Sequence, residues 1–126
     1  HAMHDPTEGG VATGLWELAR ATGLGLRAEQ GRIPILEPGG AFCAHLGLDP
    51  LGVISSGTLL LCVAPDSAGT VAEAVRGCGV ACADVGEVLP PEEGITLVRE
   101  DGTAVPMPTF PQDEIARLWE SDEAGR

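Results

Sequence analysis

Apolar and polar positions divide the chain into short segments whose period changes along its length. Val11, Leu15 and Leu18 recur at offsets of four and seven with Ala12 and Ala19 beside them, which lays one buried stripe along a helix. Asp5, Pro6 and Glu8 read as a capping box that starts this helix at Pro6, and Gly23 takes the left-handed position past Ala21–Thr22. Leu24, Leu26 and Ala28 alternate with Gly25, Arg27 and Glu29, the pattern of a strand with one buried face. Ile33–Pro34–Ile35 is a short extended piece whose proline keeps it at an edge or outside a sheet. A second helix opens at Pro38–Gly39–Gly40 and closes at Gly47. The continuous apolar run Leu59 to Ala64 predicts a central strand covered on both faces. Asp66 or Ser67 caps a third helix that Gly77 closes, and Val80 to Leu89 is a strand region whose Gly86 marks a bulge or a close approach. Ile95 to Arg99 and Thr103 to Val105 form a hairpin about Asp101–Gly102. Three prolines then lead into an amphipathic helix from Gln112 to Trp119 and an acidic tail, Glu120 to Arg126, expected to fray.

This order predicts the α+β class: a mixed, mainly antiparallel sheet with packed helices, in one domain over residues 1–126. Its core spans roughly residues 3–106, and residues 107–126 form a C-terminal helix and tail. No Gly-x-Gly-x-x-Gly or Walker sequence occurs, which argues against a doubly wound nucleotide fold.

Composition narrows the functional classes. Aromatic residues are only 3% of the chain, so aliphatic side chains and alanine must fill the core around a few aromatic anchors. The net charge of -12 arises from 19 acidic residues against seven arginines and no lysine, a field that repels nucleic acid and anionic lipid. No apolar run approaches the ~20 residues that cross a bilayer, and the opening HAMHDPT lacks signal-peptide character, so a cytoplasmic chain is expected. Cys43, Cys62, Cys78 and Cys82 show no metal-ligand spacing, and neither a metal site nor a disulfide is predicted.

Two stretches carry candidate chemistry. Glycines in the first turn of a helix each cost roughly 1 kcal/mol relative to alanine, so Gly9–Gly10 needs a reason. One reading is a phosphate or carboxylate site built from Asp5, Thr7, Gly9 and Gly10 at the positive end of the helix dipole. The other is close packing of the turn against a neighbouring element. The loop Ser55–Ser56–Gly57–Thr58 likewise offers either hydroxyls and open backbone to a ligand or a simple turn into a strand.

The run His4-Asp5-Pro6-Thr7-Glu8-Gly9-Gly10-Val11-Ala12-Thr13 resembles the C-terminal domain of the aminoimidazole ribonucleotide (AIR) synthase-related superfamily. Within it the chain is most similar to the hydrogenase maturation branch, which dehydrates a carbamoyl group using ATP and carries His-Asp-Pro-Thr-Arg-Gly-Gly-Leu-Ala-Thr. Leu46 to Leu51, Ser56 to Leu60 and Val85 to Val88 continue the resemblance in order, so that it covers roughly residues 3 to 106. It implies an N-terminal domain, absent from this chain, that carries most ATP and magnesium contacts and makes a homodimer. The present domain then closes the cleft over a small-molecule or phosphate ligand, has no cofactor by itself and is inactive alone. On this analogy His4 and Asp5 are catalytic candidates, and Thr7, Gly9, Gly10, Ser55, Ser56 and Gly57 bind ligand.

Two departures stand out. Glu8 replaces the branch's arginine, and the chain ends without the Pro-Arg-Ile-Cys tail whose cysteine carries the carbamoyl group, so dehydratase activity is not inferred. A binding or assembly module docking through the motif helix is the alternative.

Overall fold

The computed structural model describes residues 1–123. Strand β1 (Ala2–His4) precedes helix α1 (Gly10–Thr22), and strand β2 (Gly25–Glu29), helix α2 (Glu37–Leu46) and strand β3 (Leu60–Cys62) follow. Helix α3 (Pro65–Gly77), strands β4 (Gly86–Leu89), β5 (Ile95–Val98) and β6 (Ala104–Pro106), and helix α4 (Arg117–Glu123) complete the order. Four strands make one sheet in the order β4-β2-β5-β6, and β1 pairs with β3 in a separate ribbon. Every pairing is antiparallel except β2 with β5. The result is the expected α+β architecture, with its strands divided between two sheets.

Alternation along the strands decides what the four-stranded sheet buries. Leu26, Ala28 and Leu97 share one face, because Ala28 lies opposite Leu97, and all three are buried against α1 through Ala12, Leu15, Leu18 and Ala19. Arg27 and its register partner Glu87 point the other way and form a 2.9 Å ion pair at the surface. Leu51, Leu60, Ile33 and Met107 close the core from the loops and the ribbon. The core is aliphatic, as the composition implies. Trp16 and Phe110 pack on its rim, whereas Phe42 and Trp119 are exposed and anchor nothing.

Several expectations are corrected. Helix α1 starts at Gly10 rather than Pro6, because His4 is held in β1 opposite Leu60 and the two glycines adopt left-handed φ angles of 77° and 70°, which no helix interior tolerates. Asp5 caps nothing; the N-cap is Gly9. The run Leu59 to Ala64 is not a central strand: only Leu60–Cys62 is extended, it pairs with β1 alone, and Leu59 and Leu61 are exposed. Residues 80–85 are irregular, so that β4 begins at Gly86, where any side chain would overlap the Arg27 carbonyl. The helix expected over residues 112–119 is a 3-10 turn at Glu114–Ala116 followed by α4, and the tail is helical as far as Glu123. The rest of that tail lies outside the described residues. Helix ends at Gly23 and Gly47 and the hairpin about Asp101–Gly102 are as expected; the Asp101 carboxylate accepts the Thr103 amide at 2.8 Å.

Candidate functional site

Strand β1 delivers residues 5–9 to the mouth of α1, and β3 is entered from residues 53–59, so the pairing of the two strands brings both loops together. Two bonds join them and a third closes the motif loop. The Thr7 carbonyl accepts the amides of both Gly10 and Ser55 at 3.2 Å, and Ser55 Oγ donates to the Pro6 carbonyl at 3.4 Å. Pro6 is fully buried, so the motif loop is anchored at its second residue while Asp5, Thr7 and Glu8 stay exposed. Ser56 and Gly57 are exposed on the other loop, and Gly57 turns it at a φ of 90°. Thr7 and Ser55 thus join the two stretches that carry the ligand candidates.

The glycine pair is used differently from an open anion cradle. Gly9 and Gly10 are buried, and a methyl group on Gly10 would overlap the Leu51 carbonyl oxygen and approach that of Val53 to 2.8 Å. The Ala12 amide donates to the same Leu51 carbonyl at 3.1 Å. Instead of facing solvent, the Gly9 amide donates to Asp113 Oδ2 at 3.0 Å across 104 residues of sequence. An internal carboxylate thus occupies the positive end of α1, where the expected ligand was to sit. Close packing accounts for both glycines here, and the hydroxyl and carboxylate side chains around them are what remains accessible.

Sequence reasoning missed the strap that carries Asp113. Asp113 Oδ1 also accepts the Ile115 amide at 3.1 Å, so one carboxylate joins the start of α1 to the terminal helical turn. The Glu114 side chain is buried, and its Oε2 accepts from Arg117 Nη1 at 2.6 Å and from the Asp49 amide at 2.9 Å. The Arg117 guanidinium first, and the Asp49 amide second, hold this carboxyl below the usual glutamate range despite its burial. The Glu114 amide donates to the Gly52 carbonyl at 3.1 Å, and the Phe110 amide to Thr13 Oγ1 at 3.1 Å. An aspartate after a proline-rich run is a local signal for a cap, but nothing local joins it to Gly9.

His4 ends β1, directly before the motif loop. Its Nε2 lies 2.8 Å from Glu17 Oε2 on α1, so the ring is oriented by a carboxylate and retains partial exposure. His45 is exposed on α2. All four cysteines are free thiols; burial pushes the Cys62 thiol up. Among the described residues no group of three or more His, Cys, Asp or Glu side chains is arranged to hold a metal ion, and no helix is long and apolar enough to cross a membrane.

Comparison with known proteins adds to this geometry. The family model described as AIR synthase related protein, C-terminal domain, matches residues 1–98. The chain belongs to the AIR synthase related family. Carbamoyl dehydratase HypE of Bradyrhizobium diazoefficiens is 43% identical over 89 residues, which are 69% of this chain and 26% of that protein. HypE of Cupriavidus necator is 38% identical over 99 residues, 77% of this chain and 28% of that one. Among solved structures, the hydrogenase maturation protein HypE in complex with ATP superposes with a TM-score of 0.80 at 26% identity, covering 90% of this chain and 36% of that chain. The HypE–HypF complex gives 0.78 at 26% identity, with coverages of 86% and 36%. The present chain therefore spans about a quarter of the length of these curated relatives. As a family member it has the AIR synthase related C-terminal fold, which the two pinned loops and the strap are built upon.

Proposed function

We propose that this chain is the C-terminal, cleft-closing domain of an AIR synthase-related enzyme that uses ATP to activate or phosphorylate a small acceptor. The observation that supports the reading is the joining of the motif loop to the Ser55 loop, with Asp5, Thr7, Ser56 and Gly57 exposed along the two joined loops. The HypE relatives, named as carbamoyl dehydratases and in one solved structure bound to ATP, support this reading. An oxygen becomes a good leaving group once phosphorylated, and the work of such a site is positioning and charge stabilisation.

The residues present do not by themselves fit a polyphosphate. Residues 5–10 and 53–58 contain two carboxylates and no arginine or lysine, and the Gly9 amide is occupied by Asp113. ATP and magnesium contacts are accordingly assigned to an N-terminal domain of a full-length, homodimeric, cytoplasmic protein, and the isolated domain is inactive. Thr7, Ser55, Ser56 and Gly57 line the acceptor side of the cleft, Gly9 and Gly10 shape its wall, and Asp5 and His4 are the groups for proton handling.

A second reading is favoured by Glu8 and by the occupied Gly9 amide: a module that docks onto a partner protein through the mouth of α1, without chemistry. ATP turnover by the full-length protein, screened across carbamoyl and other small acceptors, separates the two. The enzyme reading expects turnover, with Thr7→Val and Ser56→Ala each lowering kcat/KM about tenfold at unchanged Tm, the effect of one lost hydrogen bond. Absence of turnover with every acceptor supports docking.

A further inference from the structure

Three elements converge on His4. Its backbone is fixed in β1 opposite Leu60 of β3. Its ring lies beside Gly14 of α1, where an added methyl group would stand 2.5 Å from Pro6 Cβ, 3.3 Å from Leu60 Cδ1 and 3.5 Å from His4 Cδ2. The absence of a side chain at the buried Gly14 thus lets the ribbon and the motif loop close onto the helix, and the ring comes to rest there. Glu17 follows three residues later on the same side of α1, and its Oε2 meets His4 Nε2 at 2.8 Å.

Neither side chain has another use. Among the described residues the Glu17 carboxylate makes no other hydrogen bond or ion pair, and His4 Nδ1 makes none at all. The two side chains are 32% and 52% exposed, so the contact adds little to stability. Its consequence is chemical instead. An ionised carboxylate only accepts hydrogen bonds, so the contact requires the proton on Nε2, and in a neutral imidazole that leaves the lone pair on Nδ1. A carboxylate that holds an imidazole in one tautomer and faces the imidazolium once it forms is the recurring support for a histidine base.

We propose that Glu17 is a positioning residue, which keeps His4 in the Nε2–H tautomer so that Nδ1 takes a proton from the acceptor held along the joined loops. The proposal rests on the enzyme reading above. In this step the acceptor's bond to hydrogen breaks, its electron pair stays on the acceptor, and the proton bonds to Nδ1. The ring becomes an imidazolium beside the Glu17 carboxylate.

The test uses the full-length protein with histidine-selective nitrogen-15 labelling, and His4→Asn assigns the resonances. At about pH 8, above the ordinary imidazole range, the nitrogen shifts are expected to show a proton on Nε2 and none on Nδ1. Glu17→Gln offers an amide that can also donate to Nε2, so the Nδ1–H tautomer should appear while Tm moves by less than about 2 °C. The same variant should lower kcat about tenfold at unchanged KM, but less than about twofold in a His4→Asn background, because Glu17 acts through the ring. A proton on Nδ1 in the unmodified protein overturns the proposal, as does turnover that Glu17→Gln leaves unchanged or lowers equally without His4; in each of these cases the enzyme reading stands. No turnover with any acceptor overturns the proton step together with that reading.

Discussion

Replacing Gly10 by alanine separates two reasons a glycine can be needed, because the same fold contains a glycine that has only one of them. Gly10 and Gly23 have nearly equal left-handed φ angles, 70° and 69°, but a methyl on Gly23 meets nothing within 4 Å whereas one on Gly10 overlaps the Leu51 carbonyl. Gly23→Ala therefore reports the backbone strain alone, about 1–2 kcal/mol less the gain of about 0.4–1 kcal/mol from a stiffer unfolded chain. Gly10→Ala carries that strain and adds overpacking of about 1–3 kcal/mol. Displacing the Leu51 carbonyl also weakens its bond to the Ala12 amide, about 1 kcal/mol more. The expected total is about 3–4 kcal/mol against about 1 kcal/mol, or roughly 12 °C against 4 °C in Tm. Urea unfolding followed by circular dichroism measures both. If Gly10→Ala comes within about 1 kcal/mol of Gly23→Ala, the turn has slack, and close packing is not why the glycine is there.

Two further outcomes follow from the strap. Glu114 has its folded-state pKa depressed, so its contribution is present above the ordinary glutamate value and is lost as pH falls through the lower folded value. Glu114→Gln should flatten the decline of stability below about pH 4.5, measured by acid titration of Tm, and a curve parallel to that of the unmodified chain would contradict the assignment. Asp113→Ala removes the acceptor of both the Gly9 and Ile115 amides and should cost about 1–2 kcal/mol; hydrogen exchange at those two amides should accelerate, and unchanged protection at Gly9 would refute the link.

The parts of the fold legible in the sequence are those fixed by local contacts. Leu15 and Leu18 of the expected stripe, with Ala12 and Ala19 beside them, and the Asp101–Gly102 turn carry their geometry within a few residues and appear as expected, whereas Val11 is only half-buried. Helix α1 starts later than Asp5 and Pro6 predict because their propensity competes with strand pairing of His4 to Leu60, which is 56 residues away and outside any local window. A continuous apolar run such as Leu59 to Ala64 states only that water is avoided, not which surface does the covering, so an edge ribbon reads as a central strand. The two candidate loops are each marked by a local motif, but their joining through Ser55 is set by tertiary structure. Asp113 and Glu114 carry no such local signal, because their partners, Gly9 and Asp49, are set by tertiary structure alone.

The order β4-β2-β5 has a bearing on how the chain is made. Strand β2 ends at Glu29, yet the neighbours on its two sides begin only at Gly86 and Ile95. During synthesis the middle of the sheet must wait, with α1 beside it, until both late strands have emerged from the ribosome. A topology so rich in distant pairings slows folding and leaves Leu26 and Ala28 open to chaperones in the interval.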